Sequence, residues 1–152
     1  MKKILSIFSI LVMSLFMTSC LESNLDDLPS YTDAEITDVK FEYRYIGQNI
    51  DSDQLFVKQL KVSTTIDSDN ATVTVDITVP EADNVLTEEE REKVSLTNLV
   101  CYFYISTAAE VKSAEIPLGV PSDFSAKEAK YTIMAADGST KDWTLIINSF
   151  TK

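Results

Sequence analysis

The sequence predicts an all-β fold, a single immunoglobulin-like antiparallel β-sandwich of about seven strands with one short helical connection. Three observations support this prediction. Apolar and polar residues alternate with a period of two in several segments, turn-forming residues separate those segments, and one segment alone carries helix signals. A hydrophobic content of 45% also indicates a globular domain with a core.

The first half of the domain contains three alternating segments. Val39–Tyr45 alternates apolar with charged residues, which is typical of a strand with one buried and one wet face. The same alternation recurs in Leu60–Ile66 and in Ala71–Val79. The turn-forming residues Asp67–Asn70 lie between these two segments, so we expect them to pair as a β-hairpin.

A single helix is predicted near the middle of the chain. Thr87 suits the N-cap position, and Glu90 follows three residues later, which is the spacing of a capping box. Acidic residues fill the first turn, where they interact favourably with the helix dipole. We therefore expect a short helix at 87–94 that connects two strands and exposes its charged side chains to solvent.

The second half of the domain ends in the clearest hairpin. Strands are predicted at Leu99–Ser106 and Val111–Ile116. Tyr131–Ala135 and Trp143–Ile147 then alternate around Asp137-Gly138, a dipeptide that favours a tight hairpin turn. The Cys…Trp…Cys spacing of true immunoglobulin domains is absent, so the pattern indicates the architecture alone.

The N-terminal segment differs from the rest of the chain. Lys2 and Lys3 precede an apolar stretch of signal-peptide length, which ends in Met17-Thr18-Ser19-Cys20. This arrangement resembles a bacterial lipobox, in which the cysteine is lipidated and becomes the first residue of the mature protein. We predict a lipoprotein signal peptide at 1–19, a lipidated Cys20 with a flexible tether at 20–35, and the sandwich domain at 36–152. The lipid on Cys20 is the expected membrane anchor.

Charge and composition exclude several function classes. The net charge of -11 repels nucleic-acid phosphates, so no nucleic-acid partner is expected. The chain has no histidine, and Cys101, which lies in an apolar strand pattern, has no partner if Cys20 is lipidated. Ser-His-Asp and Cys-His sites cannot be built from these residues. We therefore expect no enzyme and no cofactor; the remaining catalytic alternative is glycoside hydrolysis by two carboxylates.

Two acidic turns raise the question of a metal site. Asp51–Asp53 and Asp67–Asn70 cluster oxygen atoms of the kind that calcium prefers. Neither segment has the spacing of an EF-hand, and such residues are common in turns for backbone reasons. We interpret both segments as plain turns and predict no metal.

Exposed aromatic rings are the candidates for glycan binding, because a ring offers a flat apolar face to sugar C–H groups. If Cys101 and Phe103 face the core, Tyr102 and Tyr104 point outward; the alternative is cross-strand pairing on a wet sheet face. Trp143 is a third candidate, although its strand pattern favours core packing. Tyr31, in the predicted tether, is the fourth.

Five segments of the chain share one resemblance: Ile36–Phe41, Thr97–Leu99, Ile105-Ser106, Asp123–Ser125 and Tyr131–Leu145. They resemble a module found in immunoglobulin-like domains of Bacteroidetes cell-envelope lipoproteins. The resemblance implies an outer-membrane lipoprotein exposed at the cell surface, with a non-catalytic glycan-binding or accessory role in polysaccharide uptake. Its implied partners are polysaccharide and other envelope proteins.

A structural or adhesive role is the alternative, in which the edge strands pair with a partner protein. The two roles differ in what they require of the fold. A glycan binder needs an aromatic platform on one sheet face, whereas an adhesive protein needs an open apolar edge strand.

Overall fold

Eight strands and one short α-helix form the part of the chain that the computed structural model describes, residues 31–49 and 52–152. The strands are β1 (Ile36–Asn49), β2 (Ser52–Gln59), β3 (Lys61–Asp67), β4 (Thr72–Thr78), β5 (Val100–Ile105), β6 (Glu110–Ala114), β7 (Glu128–Met134) and β8 (Thr140–Thr151). Helix α1 spans Glu88–Lys93, and a 3-10 turn follows at Leu96–Asn98. Within the two described ranges, no helix is long and apolar enough to cross a membrane.

The strands form two sheets that pack into a sandwich, which confirms the predicted fold class. One sheet has three strands in the order β2-β1-β5, and the other has five in the order β3-β4-β8-β7-β6. Neighbouring strands are antiparallel except β4 and β8, which pair in parallel from Thr72↔Thr144 to Thr78↔Thr151. The structure therefore adds an eighth strand and one parallel pair to the prediction. The parallel pair arises because the β7–β8 hairpin places its second strand beside β4.

Strand β2 is the element that the sequence pattern did not predict. It pairs with the second half of β1, from Glu42↔Gln59 to Asn49↔Ser52. At Leu60 the chain leaves the three-stranded sheet, and β3 then pairs with β4 in the other sheet. Leu60 is buried at this crossing, and its N–H donates to the carbonyl of Phe41 over 2.9 Å.

One hydrophobic core lies between the sheets. Phe41 packs edge-to-face on Phe124 with ring centroids 5.2 Å apart. Phe103 makes a similar contact with Tyr131 at 4.6 Å. Such pairs stabilise a core beyond the burial of their area. The central strands β4, β7 and β8 contribute alternating fully buried side chains, which is the pattern expected for strands covered on one face.

The predicted hairpins are both confirmed. The β3–β4 turn is closed by Asp67, whose carboxylate accepts from the backbone N–H of Asn70 at 3.0 Å and from its side-chain amide at 2.7 Å. The β7–β8 turn contains Gly138, which has a φ of 87° that favours glycine. The Asp67 carboxylate thus closes the predicted turn through its bonds to Asn70, whereas Asp51 of the other acidic turn lies outside the described residues.

The predicted N-cap at Thr87 is confirmed, which is one of the two hydrogen bonds of the predicted capping box. The hydroxyl of Thr87 accepts from the N–H of Glu90 at 3.3 Å, and α1 begins at the next residue after this cap. The charged face is less solvated than predicted, because the Glu90 carboxylate accepts from the hydroxyl of Tyr43 at 3.3 Å and pairs with Lys93 at 2.6 Å. The helix therefore contacts β1 through the hydrogen bond between Glu90 and Tyr43.

The residues before β1 are fixed to the domain by several hydrogen bonds. Ala34 is buried and its carbonyl accepts from the indole N–H of Trp143 at 2.9 Å. The Glu35 carboxylate pairs with Lys141 at 2.5 Å, and its N–H donates to the Ser106 hydroxyl at 2.9 Å. The predicted signal peptide, Cys20 and the tether up to residue 30 lie outside the described residues.

Candidate functional site

The two tyrosines of β5 lie on the outer face of the three-stranded sheet, as their alternation predicted. Cys101 is fully buried beneath them and Phe103 is half-buried. Tyr104 is 57% exposed, whereas Tyr102 is half-buried. The two rings therefore differ in what they can offer to a ligand.

Tyr102 belongs to a polar network with two residues of β1. The Arg44 guanidinium binds the Glu42 carboxylate at 2.5 Å and donates to the Tyr102 hydroxyl. That hydroxyl in turn donates to Glu42 at 3.1 Å. Burial, followed by this hydrogen bond to Glu42, raises the pKa of Tyr102. We call these three residues the Glu42 network. Within it the charges of Glu42 and Arg44 are paired with each other, and the Tyr102 hydroxyl is hydrogen-bonded to both residues.

A loop after β6 covers the Glu42 network. The N–H of Gly119 donates to the carbonyl of Cys101 at 2.9 Å, and the Gly119 carbonyl accepts from Arg44 at 3.4 Å. Gly119 has a φ of 75°, in the region that favours glycine. The loop then exposes Val120 beside the network.

Apolar side chains surround this network on the same outer face. In the described ranges the exposed large hydrophobic residues are Ile46, Leu55, Val57, Tyr104, Val120 and Tyr31. All but Tyr31 lie on the outer face of the three-stranded sheet or on the loop beside it. We call these five the apolar face. Ile46 pairs directly with Leu55 across β1 and β2, and they are 64% and 53% exposed.

On the inner side of the β1–β2 hairpin, three aromatic rings pack beneath the apolar face. The rings of Tyr43, Tyr45 and Phe56 stack in sequence, with centroids 5.8 Å and 5.1 Å apart. Gly47 leaves room for this stack, because a Cβ there would lie 2.9 Å from the Phe56 ring. The Tyr45 hydroxyl donates to the carbonyl of Val85 in the loop below.

An ion pair ties β2 to the same loop. Lys58 pairs with Asp83, whose carboxylate also accepts from the N–H groups of Leu86 at 2.8 Å and Val85 at 2.9 Å. The Lys58 contact, followed by these backbone bonds, lowers the pKa of Asp83 to about 2. The loop therefore fastens the edge strand from below while its outer side chains stay exposed.

The other predicted aromatic candidates lie elsewhere. Trp143 is fully buried in the core, so its ring is not accessible to a glycan. Its prediction as a glycan-binding residue is therefore wrong. Its ring is covered by Lys141, whose Nζ lies 4.7 Å from the ring centroid. Tyr31 is 54% exposed, and its carbonyl accepts from the N–H of Asp137 at 3.3 Å, at the β7–β8 turn. No contact among the described residues joins Tyr31 to Tyr104.

Cys101 is a buried structural residue, in agreement with the apolar strand pattern in which it lies. It is fully buried on β5, and burial raises the pKa of its thiol well above the ordinary value. Within the described ranges, no three His, Cys, Asp or Glu side chains group in a way that could hold a metal ion.

Comparison with known proteins gives two matches. The model of the DUF5018-related family matches residues 36–146, from the start of β1 into β8. A crystal structure of a "putative secreted protein" from Bacteroides fragilis NCTC 9343 has 38% sequence identity and a TM-score of 0.73. The similarity covers 82% of this chain and 100% of that one. Comparison with curated proteins gives no match.

Proposed function

This chain belongs to the DUF5018-related family, and from that premise we propose that it is a non-catalytic accessory protein of the cell envelope. In this proposal it binds another protein through the apolar face. The observation that carries the proposal is the clustering of exposed large hydrophobic side chains on one side of the sandwich. Exposed apolar side chains gathered on one side of a folded protein are typical of interaction sites.

The edge strand strengthens this proposal. Leu55 and Val57 lie on β2, which within the described ranges pairs with β1 as the edge strand of the three-stranded sheet. Its free edge presents backbone N–H and C=O groups beside exposed aliphatic side chains. A partner can therefore add a strand and cover Leu55 and Val57 at the same time.

Charge indicates the chemistry of the partner. The chain has a net charge of -11, which opposes self-association and attracts basic surfaces. The charged groups of the Glu42 network are already paired within the protein. The fitting partner is thus an envelope protein with an apolar centre and basic residues around it.

The proposed location is the outer membrane, with the domain exposed at the cell surface and a lipid on Cys20 as the anchor. The lipobox-like N-terminus supports the anchor. The name of the similar Bacteroides fragilis protein, which describes secretion, supports transport out of the cytoplasm. The resemblance to polysaccharide-uptake lipoproteins supports an accessory role beside such a system.

Glycan binding by the same face is the second candidate function. It is favoured by one observation, the largely exposed ring of Tyr104. A platform of two rings is not available there, because the hydroxyl of Tyr102 is held by Arg44 and Glu42. The aliphatic side chains of β2 favour a protein partner over a sugar.

Site-specific cross-linking in the native cell tests the proposal. A photo-reactive amino acid replaces Leu55, and a matched control replaces Ser63, an exposed residue of β3 on the other sheet. We expect a discrete adduct with one envelope protein at position 55, its loss in Val57→Lys, and no such adduct at position 63. Because Val57→Lys places a cation opposite Arg44, a circular dichroism melt of this variant must show that the fold is retained.

Two results would contradict the proposal. An adduct between two copies of this chain at position 55 would make the apolar face a self-association surface. Equal adducts at positions 55 and 63 would show that the face has no selective partner.

A further inference from the structure

The outer face of the five-stranded sheet carries a polar groove that the proposed function does not use. The groove crosses β6, β7 and β8 and has a volume of about 540 Å³, which is within the range of small-molecule sites. Its polar side chains are Ser113, Glu115, Lys130, Thr132, Asp142 and Thr144.

A hydrogen-bonded relay runs across the three strands of this groove. The Ser113 hydroxyl donates to the Thr132 hydroxyl at 2.9 Å, and Thr132 donates to the Asp142 carboxylate at 2.7 Å. Strand pairing sets this alignment, since Thr132 lies opposite both Ser113 and Asp142. A β-bulge between Val111 and Ser113 brings Ser113 into that register. Bulges of this kind re-aim side chains beside functional sites.

Two further groups of the groove are held in place by the backbone. The Glu115 carboxylate accepts from the N–H of Lys130 at 2.9 Å, and the Glu115 N–H donates to the Lys130 carbonyl at 2.9 Å. The first of these bonds uses one carboxylate oxygen of Glu115. Likewise, Thr132 uses one carboxylate oxygen of Asp142. Within the described ranges, no hydrogen bond or ion pair engages the second carboxylate oxygen of Glu115, that of Asp142, or the Lys130 ammonium.

We propose that this groove binds a neutral polyhydroxylated ligand, the chemistry of a sugar ring. Sugar hydroxyls both donate and accept, so they can donate to Asp142 and Glu115 and accept from Lys130. An anionic ligand is disfavoured by the two carboxylates and by the net charge of -11. A bound cation is disfavoured because the described residues hold no group of three acidic or thiol ligands.

This site lies on the opposite sheet from the apolar face, so it does not depend on the proposed function. It also assigns sugar binding to residues other than Tyr104. The two assignments make different predictions about which amides respond to a sugar.

Chemical-shift mapping by NMR tests the proposal with the full chain in detergent. The probes are methyl glycosides of neutral hexoses, with glucuronic acid as the charged comparison. We expect at least one neutral glycoside to shift the backbone amides of 113–115, 130–132 and 142–144. Asp142→Asn should weaken that binding by ~10-fold, since it removes a charged hydrogen-bond acceptor.

The matched control is Asp69→Asn, which removes the same charge from the exposed β3–β4 turn and should leave the affinity unchanged. Thr132→Val gives a second test, because it breaks the relay without changing the charge, and it should also weaken binding. The proposal is overturned if no neutral glycoside shifts these amides, or if the shifts are confined to β5 around Tyr104. Tighter binding of glucuronic acid than of the neutral glycosides would overturn the assigned ligand class.

Discussion

The two outer faces of this sandwich differ in the side chains that they expose. On the three-stranded sheet, the Glu42 network pairs its charges internally while aliphatic side chains such as Ile46 and Leu55 face solvent. On the five-stranded sheet, hydroxyl and charged groups line the groove, and none of the exposed large hydrophobic residues of the described ranges lies on its strands.

Because of this difference, the two faces suit different classes of ligand. Burial of an apolar face gains free energy through release of water, which suits a large and complementary protein surface. A polar groove gains specificity through directional hydrogen bonds, which suits a small ligand with many hydroxyls. Both faces rest on the same core, so changes in the core and changes in each face have separable effects.

The largest expected effect comes from the shared core. Trp143→Ala removes a fully buried ring and its bond to the Ala34 carbonyl, and should lower the free energy of unfolding by about 3–5 kcal/mol. Tyr104→Ala, on the apolar face, should change it by about 0.5 kcal/mol or less. Urea unfolding measures both. Equal losses for the two variants would contradict the assignment of Trp143 to the core and Tyr104 to the surface.

A smaller effect separates the two polar arrangements. Glu42→Gln leaves Arg44 without its carboxylate partner at a nearly buried site, and should lower the free energy of unfolding by about 2 kcal/mol. Asp142→Asn acts on an exposed carboxylate and should cost about 0.5 kcal/mol or less. If denaturant unfolding ranks Asp142→Asn as the more damaging change, the Glu42 network is not the structural one of the two.

The smallest effect is a pH dependence beneath the apolar face. The pKa of Asp83 is depressed in the folded protein to about 2 from the ordinary value of 3.8, so its contribution is present above pH 3.8 and is lost as pH falls to about 2. Asp83→Asn should therefore have a lower Tm than the unmodified protein at pH 7, and the two should converge near pH 2. Circular dichroism melts measure this difference, with Asp69→Asn as the charge control. A Tm difference that does not change with pH would exclude the Lys58–Asp83 pair as its source.

The sequence predicted the parts of the fold that local patterns determine. Alternation and turn residues located the β3–β4 and β7–β8 hairpins, and Thr87 with Glu90 located the helix. The outward direction of Tyr104 followed from the same period of two. Each of these features depends on neighbouring residues alone, which is why the sequence was sufficient.

The apolar face was missed because its strand has no clear alternation. Three consecutive residues of β2 are apolar: Leu55, Phe56 and Val57. Phe56 faces inward, whereas Leu55 and Val57 face solvent, so both sides of the strand are apolar. A run with both sides apolar predicts a buried strand or a helix segment as readily as an exposed edge. The exposure of this strand depends on the tertiary fold.

The two polar arrangements were missed for a different reason. Glu42 and Arg44 have the pattern of a wet face, and the loop that covers them is more than seventy residues away, at Gly119. The relay of the groove joins Ser113, Thr132 and Asp142 from three strands, whose alignment depends on register and on a bulge. Long-range register is not encoded in any single segment.

The central position of β1 has a mechanical consequence. A pull on the chain before Ile36 first loads the bonds of Ala34 and Glu35 to Trp143 and Lys141. It then acts along β1, which is hydrogen-bonded to β2 on one side and to β5 on the other. Force along a strand between two neighbours shears many hydrogen bonds at once, and does not peel them one after another. We therefore expect β1 to resist a pull applied through this end of the domain, and a pull between residues 31 and 152 in an optical trap measures that resistance.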